Sequence, residues 1–282
     1  MNKTQNIMII DGKKIAGEII EKLKSGPAPK KIFAAVLVGE NPASISFLKQ
    51  KEKTAKELGV DFRIYKFPET AKNDELRKET VKIASLKKVG GVIVQLPLPE
   101  HLNSQYILNA VPREKDVDVL GERSIGAFYA GRNPVLPPPV GTIKEIIENL
   151  KLEIENLRVA IVGLGFLVGR PAAVWLMKKC RELRLLDKGS DLNILKQADL
   201  VITATGQAGL IKPGMLKDDA GVIDFGYSMD KNGKIRGDFN VAEIENQKSE
   251  TKNINFYTPT PGGTGPILTA KIFENFYRLN KE

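Results

Sequence analysis

Short apolar runs and helical apolar stripes alternate along the first half of this chain. Ile32–Val38 is unbroken apolar sequence ended by Gly39, which predicts a strand. Ser44–Leu58 reads as a helix stopped by Gly59. A strand at Phe62–Phe67, a helix near Asp74–Leu86 and a buried strand at Val92–Leu96 follow. Repeated βα units of this kind imply a parallel sheet covered by helices. The stretch Asn133–Pro139 holds four prolines, breaks the pattern and is the candidate domain boundary.

Beyond it a linking helix, roughly Thr142–Leu150, leads into a second series. Arg158–Val162 is a strand that runs into Gly163-Leu164-Gly165-Phe166-Leu167-Val168-Gly169. Helix Arg170–Lys179, strand Leu183–Leu186, helix Leu192–Gln197, and strands Leu200–Ala204 and Gly221–Phe225 come next. This is the order of a Rossmann-like dinucleotide-binding domain. A last helix near Pro266–Tyr277 carries Leu268, Ile272, Phe273 and Phe276 on one side, so that face must pack against something.

Composition narrows the classes. At 282 residues the chain has room for two domains, each with its own core. No apolar run approaches the ~18 residues of a membrane span. The run Ile7–Ile10 near the N-terminus is strand-length and lacks a cleavage pattern, so no signal peptide is expected. One cysteine, Cys180, permits no internal disulfide and fits a reducing, cytoplasmic compartment. One histidine, His101, excludes a multi-histidine metal site and argues against Ser/Cys–His chemistry. It follows Pro99-Glu100 in a loop, and a surface role is expected. The formal charge of +9 raises the question of nucleic acid, but the lysines do not cluster with aromatics and no zinc-binding or RNA-binding signature is present. A basic surface would also attract anionic small substrates, and the charge alone leaves both readings open.

Two features carry chemistry. The glycine loop follows a predicted strand, precedes a helix, and has Asp187 24 positions after Gly163. That context is the dinucleotide fingerprint: glycines let the backbone approach the pyrophosphate at a helix N-terminus, and the acid meets a ribose. The third glycine, Gly169, comes one residue late. The second feature is Lys51. On a helix, Phe47, Lys51, Ala55 and Leu58 share one face, whereas Lys49, Lys53 and Lys56 share the other. A lysine on the apolar face either snorkels at the core edge or faces a cleft, where desolvation would tune it toward a general base. The strand ending Val92-Ile93-Val94 favours the cleft. It places Gln95 at a strand's C-terminal end, before the turn Leu96-Pro97-Leu98-Pro99, where ligands of open α/β sheets collect. Asp116-Val117-Asp118 offers carboxylates on alternate faces of an extended segment.

Together these residues resemble the bifunctional methylenetetrahydrofolate dehydrogenase/methenyltetrahydrofolate cyclohydrolase family. The matching segments are Asp11-Gly12, Asn41-Pro42-Ala43-Ser44 with Lys51, Val94–Pro99, Lys115-Asp116-Val117-Asp118, Val168-Gly169-Arg170-Pro171, Ile223-Asp224-Phe225-Gly226 and Thr258–Pro266. The resemblance implies two α/β domains around a cleft: a folate-binding catalytic domain of βα repeats over 1–138 with 267–282, and a Rossmann-like domain over 139–266. It implies oxidation of 5,10-methylenetetrahydrofolate with NAD or NADP, then hydrolysis of the methenyl product to 10-formyltetrahydrofolate, in a homodimer with no nucleic-acid or membrane partner. By similarity Lys51 is the catalytic lysine, Gln95 its hydrogen-bond partner and Asp118 the anchor for the pterin ring. Phe47 would stack on the folate, Pro261, Gly262 and Gly263 would line its site, and Tyr227 would touch the cofactor through its backbone.

The chain departs from the family's habits at several positions. Phe47 stands where tyrosine is usual, Gly163-Leu164-Gly165 where Gly-Arg-Ser is, and Asp187-Lys188 where His-Ser is common. Pro137-Pro138-Pro139 replaces Pro-Cys-Thr, Val119 replaces glycine, and Thr264 replaces a branched aliphatic residue. An acid at Asp187 and the loss of an arginine at Leu164 lean toward NAD, while Lys188 and family habit lean toward NADP. A monofunctional dehydrogenase and a non-catalytic folate- or dinucleotide-binding protein stay open beside the bifunctional enzyme.

Overall fold

The computed structural model of the chain describes residues 7–230, 233–245 and 254–281. The strands are β1 Met8–Ile9, β2 Ile32–Val38, β3 Asp61–Phe67, β4 Val89–Val94, β5 Arg158–Val162, β6 Glu182–Leu186, β7 Leu200–Thr203, β8 Gly221–Asp224, β9 Ser228–Met229, β10 Ile235–Arg236 and β11 Phe256–Tyr257. The helices are α1 Gly12–Lys24, α2 Pro42–Glu57, α3 Asn73–Ser85, α4 Ser104–Leu108, α5 Glu122–Tyr129, α6 Pro138–Asn149, α7 Gly169–Leu176, α8 Ala242–Glu245 and α9 Thr264–Leu279. No helix among the described residues is long and apolar enough to cross a membrane. Of the described residues, 16–138 with 269–281 form one unit, and 7–15 with those of 139–268 form another.

The first unit is built on a parallel sheet of order β3-β2-β4. Every residue of β2 is buried, as an unbroken apolar run in the centre of a parallel sheet should be. Ala34, Val36 and Val38 face Leu76 and Ile83 of α3 and Ile107 and Leu108 of α4. On the other face Phe33 stacks against Phe276 at 4.8 Å and meets Phe273 edge-on at 5.4 Å. The apolar stripe of the last helix thus has its partner, with burial of each ring contributing up to about 3 kcal/mol. Strand β4 begins at Val89, three residues before the expected Val92, and ends at Val94. Gly90 and Gly91 hid it, since glycine is a poor strand signal, yet packing demands them. A Cβ on Gly91 would press into Phe276 and Val117, and one on Gly90 into Lys31 and Asn280.

The second unit holds a six-stranded sheet, order β1-β11-β8-β7-β5-β6, parallel throughout. Ala160, Val162, Val201 and Val222 form its core with Leu195, Leu216 and Phe239. Two sequence expectations change here. The resemblance places the opening residues in the domain over 1–138, but β1 adds to this sheet, Met8 pairing with Phe256, and the Ile10 N–H continues to the Tyr257 carbonyl at 2.9 Å. A run this short has no periodicity to say which sheet edge it will extend. The expected helix at Leu192–Gln197 is a 3₁₀ segment, capped by Asp191, whose carboxylate accepts the Asn193 N–H. It closes on an i to i+3 bond, the Ala198 N–H donating to the Leu195 carbonyl at 3.1 Å, which is the 3₁₀ pattern.

Candidate active site

In the first unit the connection leaving β2 leads to β3 on one side, whereas the chain leaving β4 returns at Asp116 beside Val92 on the other, so the connections diverge between β2 and β4. Such a switch point opens a crevice at the strand ends. Helix α2 starts just past the C-terminal end of β2, where the Asn41 carboxamide oxygen accepts the Ser44 N–H at 3.0 Å and Pro42 fills the first turn. The buried face of α2 comprises Ser44, Leu48, Lys51 and Ala55, spacings of four, three and four. Lys49, Lys53 and Lys56 are exposed, as the helix pattern requires. Phe47 lies half-buried one turn before Lys51.

Lys51 is therefore inside, and it has a partner. Its Nζ donates to Gln95 Oε1 at 2.8 Å. The Gln95 amide is fixed at both ends, because its Nε2 donates to the Leu96 carbonyl at 2.7 Å. Its backbone N–H donates to Val36 on β2 at 2.9 Å. Burial lowers the Lys51 pKa from its ordinary value, and the nearby charge of Asp118 opposes that shift. Burial pushes Asp118 up to about 6, with Lys51 pulling it down and Asp116 pushing it further up. The structure brings Lys51, Gln95 and Asp118 together.

Asp116, which the sequence offers as a carboxylate without a role, has a structural one. It is buried, and its carboxylate accepts the N–H groups of Leu120 at 3.0 Å and Gly121 at 2.9 Å. The alternation of Asp116 and Asp118 was the signal: one acid folds the loop while the next faces the lysine. Between them and the loop's end, Val119 has φ +59°, the left-handed conformation that suits glycine. His101 is exposed, and its Nε2 lies 3.0 Å from the Ala71 carbonyl.

In the second unit the strand order reverses at β5, with β6 to one side and β7 to the other. Gly163 closes this strand at φ +91°, its N–H donating to Leu186 on β6 at 2.8 Å. A Cβ on Gly169, the third glycine of the loop, would press into the Gly163 carbonyl, whereas one on Gly165 would meet nothing within 4 Å. Gly163 and Gly169 thus let helix α7 start close behind β5, and Gly165 leaves an open approach to the backbone. In the first turn of α7 the Arg170 N–H donates to the Gly165 carbonyl at 3.1 Å and Pro171 has no N–H, so the Gly169 N–H is the donor left to face a ligand. These features fit the pyrophosphate of a dinucleotide. Leu164 is half-buried, and its carbonyl accepts Arg170 Nε at 2.9 Å.

Asp187 follows β6 directly and is exposed, as is Lys188. One carboxylate oxygen of Asp187 accepts the Lys188 N–H at 3.0 Å, and Ser190 Oγ accepts the Asp187 N–H at 2.9 Å. Gly189, at φ +87°, completes this tight turn. Tyr227 stands between β8 and β9. Pro261, Gly262 and Gly263 also belong to this unit. Their loop is tied to the chain's opening by the Gly12 N–H, which donates to the Gly262 carbonyl at 3.1 Å. Thr264 is buried with its hydroxyl donating to the Asp224 carbonyl at 2.8 Å, which explains a polar residue at an otherwise apolar position.

Comparison with known proteins decides the family. The description Tetrahydrofolate dehydrogenase/cyclohydrolase, catalytic domain, matches residues 10–118, and the NAD(P)-binding domain of the same family matches residues 137–282. The chain belongs to the tetrahydrofolate dehydrogenase/cyclohydrolase family. It is 32% identical over 281 residues to the bifunctional protein FolD of Listeria innocua, covering 97% of each chain. Against the bifunctional protein FolD of Staphylococcus carnosus it is 34% identical, covering 95% of this chain and 94% of that one. The crystal structure of the bifunctional FolD enzyme of Campylobacter jejuni matches with a TM-score of 0.90 at 29% identity, covering 98% of this chain and 99% of that one. The fold is thus the family's two α/β domains, one catalytic and one binding NAD(P).

Proposed function

We propose that this chain oxidises 5,10-methylenetetrahydrofolate to the methenyl compound with NAD or NADP, and hydrolyses the methenyl compound to 10-formyltetrahydrofolate, with Lys51, Gln95 and Asp118 as the working residues. The contact that supports these roles best is the buried Lys51 amine held on Gln95 at 2.8 Å. An amine whose pKa is lowered by burial spends more of its time uncharged and can take the proton from water attacking the bridging carbon. Gln95 keeps the Lys51 nitrogen in place through its own tether to Leu96. Asp118, at about 6, is ionised at neutral pH and accepts hydrogen bonds from the N–H edge of a pterin ring. A nicotinamide dinucleotide, when bound, would supply the acceptor for the hydride, and Gly163, Leu164, Gly165, Asp187, Lys188 and Tyr227 would hold the dinucleotide.

Lys51→Met tests the assignment through spectrophotometric assay of both half-reactions. Hydrolysis should fall by ~10²–10⁴-fold while dinucleotide binding stays intact. An unchanged hydrolysis rate sinks the role. Phe47 favours a second reading, a dehydrogenase with weak hydrolysis, because a phenyl ring one turn before Lys51 lacks the hydroxyl usual in the family. The same two assays on the unaltered protein separate it from the first.

Cofactor choice leans to NAD. Asp187 follows the strand beside the glycine loop, where a carboxylate accepts a ribose hydroxyl and repels a 2′-phosphate. A homodimer is supported by β3, a seven-residue strand at the edge of its sheet, since an edge this long presents backbone groups that a second copy can pair. A cytoplasmic setting suits the single cysteine.

A further inference from the structure

Two buried carboxylates in the second unit have no part in the roles given above. Asp224 closes β8, and Asp238 lies two residues past β10; both are almost wholly shielded from solvent. Asp224 Oδ1 accepts the N–H groups of Gly226 at 2.6 Å and Asp238 at 3.2 Å, and its Oδ2 accepts that of Phe239 at 2.9 Å. Asp238 Oδ2 in turn accepts the Thr203 hydroxyl at 2.8 Å and the Thr205 N–H at 2.6 Å, while its Oδ1 accepts the Gln207 N–H at 2.9 Å. The two acids form a chain. Asp224 holds the backbone of Asp238, and the Asp238 side chain holds the loop that leaves β7.

Their surroundings leave no slack. A Cβ on Gly226 would press into the Asp238 carboxylate, and one on Gly237 into the Asp224 carboxylate. A Cβ on Gly163 would approach the Ala204 carbonyl and the Thr205 methyl, so the loop held by Asp238 lies directly against the glycine loop. The segment held by Asp224 runs from Gly226 into Tyr227. Along the sheet the order is β8-β7-β5-β6, so Asp187 and the adenosine end lie to the β6 side of the glycine loop. An extended dinucleotide bound across the switch point then has its nicotinamide end toward β7 and β8.

We propose that Asp224 and Asp238 are positioning residues that fix the Thr205–Gln207 and Gly226–Tyr227 loops as the nicotinamide side of the cofactor site. The inference rests on the cofactor reading above and extends it from the glycine loop to two loops that no fingerprint describes. Main-chain loops at strand ends are free to shift unless something satisfies their N–H groups, and here carboxyl oxygens at fixed positions do so. Each acid meets only donors, so the pair calls for carboxylates. An asparagine would turn an amide N–H toward a backbone N–H.

The test uses the full-length protein and NADH or NADPH itself. The single tryptophan, Trp175, lies on α7, and energy transfer from it to the reduced nicotinamide reports binding without turnover. Asp238→Asn should weaken dinucleotide binding by about tenfold or more, the loss of one charge-assisted contact set. Dehydrogenase kcat/KM should fall in parallel, while hydrolysis measured without dinucleotide changes less than about twofold. Thr203→Val removes one donor and no charge, and should shift binding in the same direction by a smaller factor. It serves where Asp238→Asn fails to fold. Unchanged dinucleotide affinity in the folded variants overturns the proposal. So does a matched loss of hydrolysis, affinity and apo melting temperature, which marks the pair as supports of the whole unit. Because the binding readout needs no turnover, it stands apart from the Lys51 test.

Discussion

At the scale of single residues, two positions show how environment sets the outcome of a substitution. Val119 is buried at a φ of +59°, where a β-branched residue is strained. The left-handed conformation costs roughly 1–2 kcal/mol, and burial of the side chain contributes a similar amount in the other direction. Val119→Gly therefore relieves the backbone and loses the packing, whereas Val119→Ala keeps the strain and loses most of the packing. The two should destabilise to within about 0.5 kcal/mol of each other in urea melts, where glycine is ordinarily worse by about 1 kcal/mol. A glycine variant worse by the ordinary margin refutes the strain. Asp187 is the second position. Asp187→Ser should move the ratio of kcat/KM for NADP over NAD upward by about 1 kcal/mol, roughly fivefold. The turn already occupies one of its carboxylate oxygens with the Lys188 N–H, so a ribose would use the other. A ratio that stays put assigns the choice to Lys188.

At the scale of elements, the parallel strands of the second unit are pinned at their N-terminal ends by one acid. Asp199 precedes β7 and accepts the Arg158 N–H at 2.8 Å and Arg158 Nε at 3.2 Å. It also accepts Lys217 Nζ in a short contact from the segment leading to β8. Its backbone continues the link, as its N–H donates to the Arg158 carbonyl at 2.8 Å and its carbonyl accepts from Gly221 at 2.9 Å. Burial by itself would raise its pKa, but Lys217 and Arg158 outweigh burial and hold Asp199 at about 2. A carboxylate depressed in the folded state stabilises above its unfolded pKa, near 4, and that stability is lost as pH falls from about 4 toward 2. Both cations are partly exposed, so the contribution is discounted to roughly 1–2 kcal/mol. Asp199→Asn should be less stable at neutral pH by about that amount and should flatten the stability profile between about pH 4 and 2. Parallel profiles for the two proteins would show that the ion cluster adds nothing.

At the scale of the whole molecule, the long edge strand β3 carries the expectation of a second copy. Sedimentation equilibrium should return twice the chain mass of 31.1 kDa, and a monomer at micromolar concentration removes the dimer. How far sequence could reach follows from the range of each interaction. Strands β2 and β5 end where their apolar runs end, at Val38 and Val162, because burial of consecutive residues is written locally. The position of Lys51 on the apolar side of its helix was likewise legible, since a period of 3.6 needs only neighbours along the chain. What that lysine faces was not. Gln95 lies 44 residues away, and only the closing of β4 beside β2 brings its oxygen to 2.8 Å from the amine. The placement of β1 beside β11 and of glycines under Phe276 has the same origin, contacts between segments far apart in the chain. The carboxylate chain of Asp224 and Asp238 was hidden for that reason as well. Two acids 14 residues apart acquire their meaning from six donors on three segments, and nothing local marks them as inside. Sequence by itself determined the elements and the residue types able to do chemistry, because propensity and periodicity act over a few residues. Tertiary structure alone decided which of those residues meet, which charges are desolvated and so what each can do, because burial and distance are properties of the packed chain.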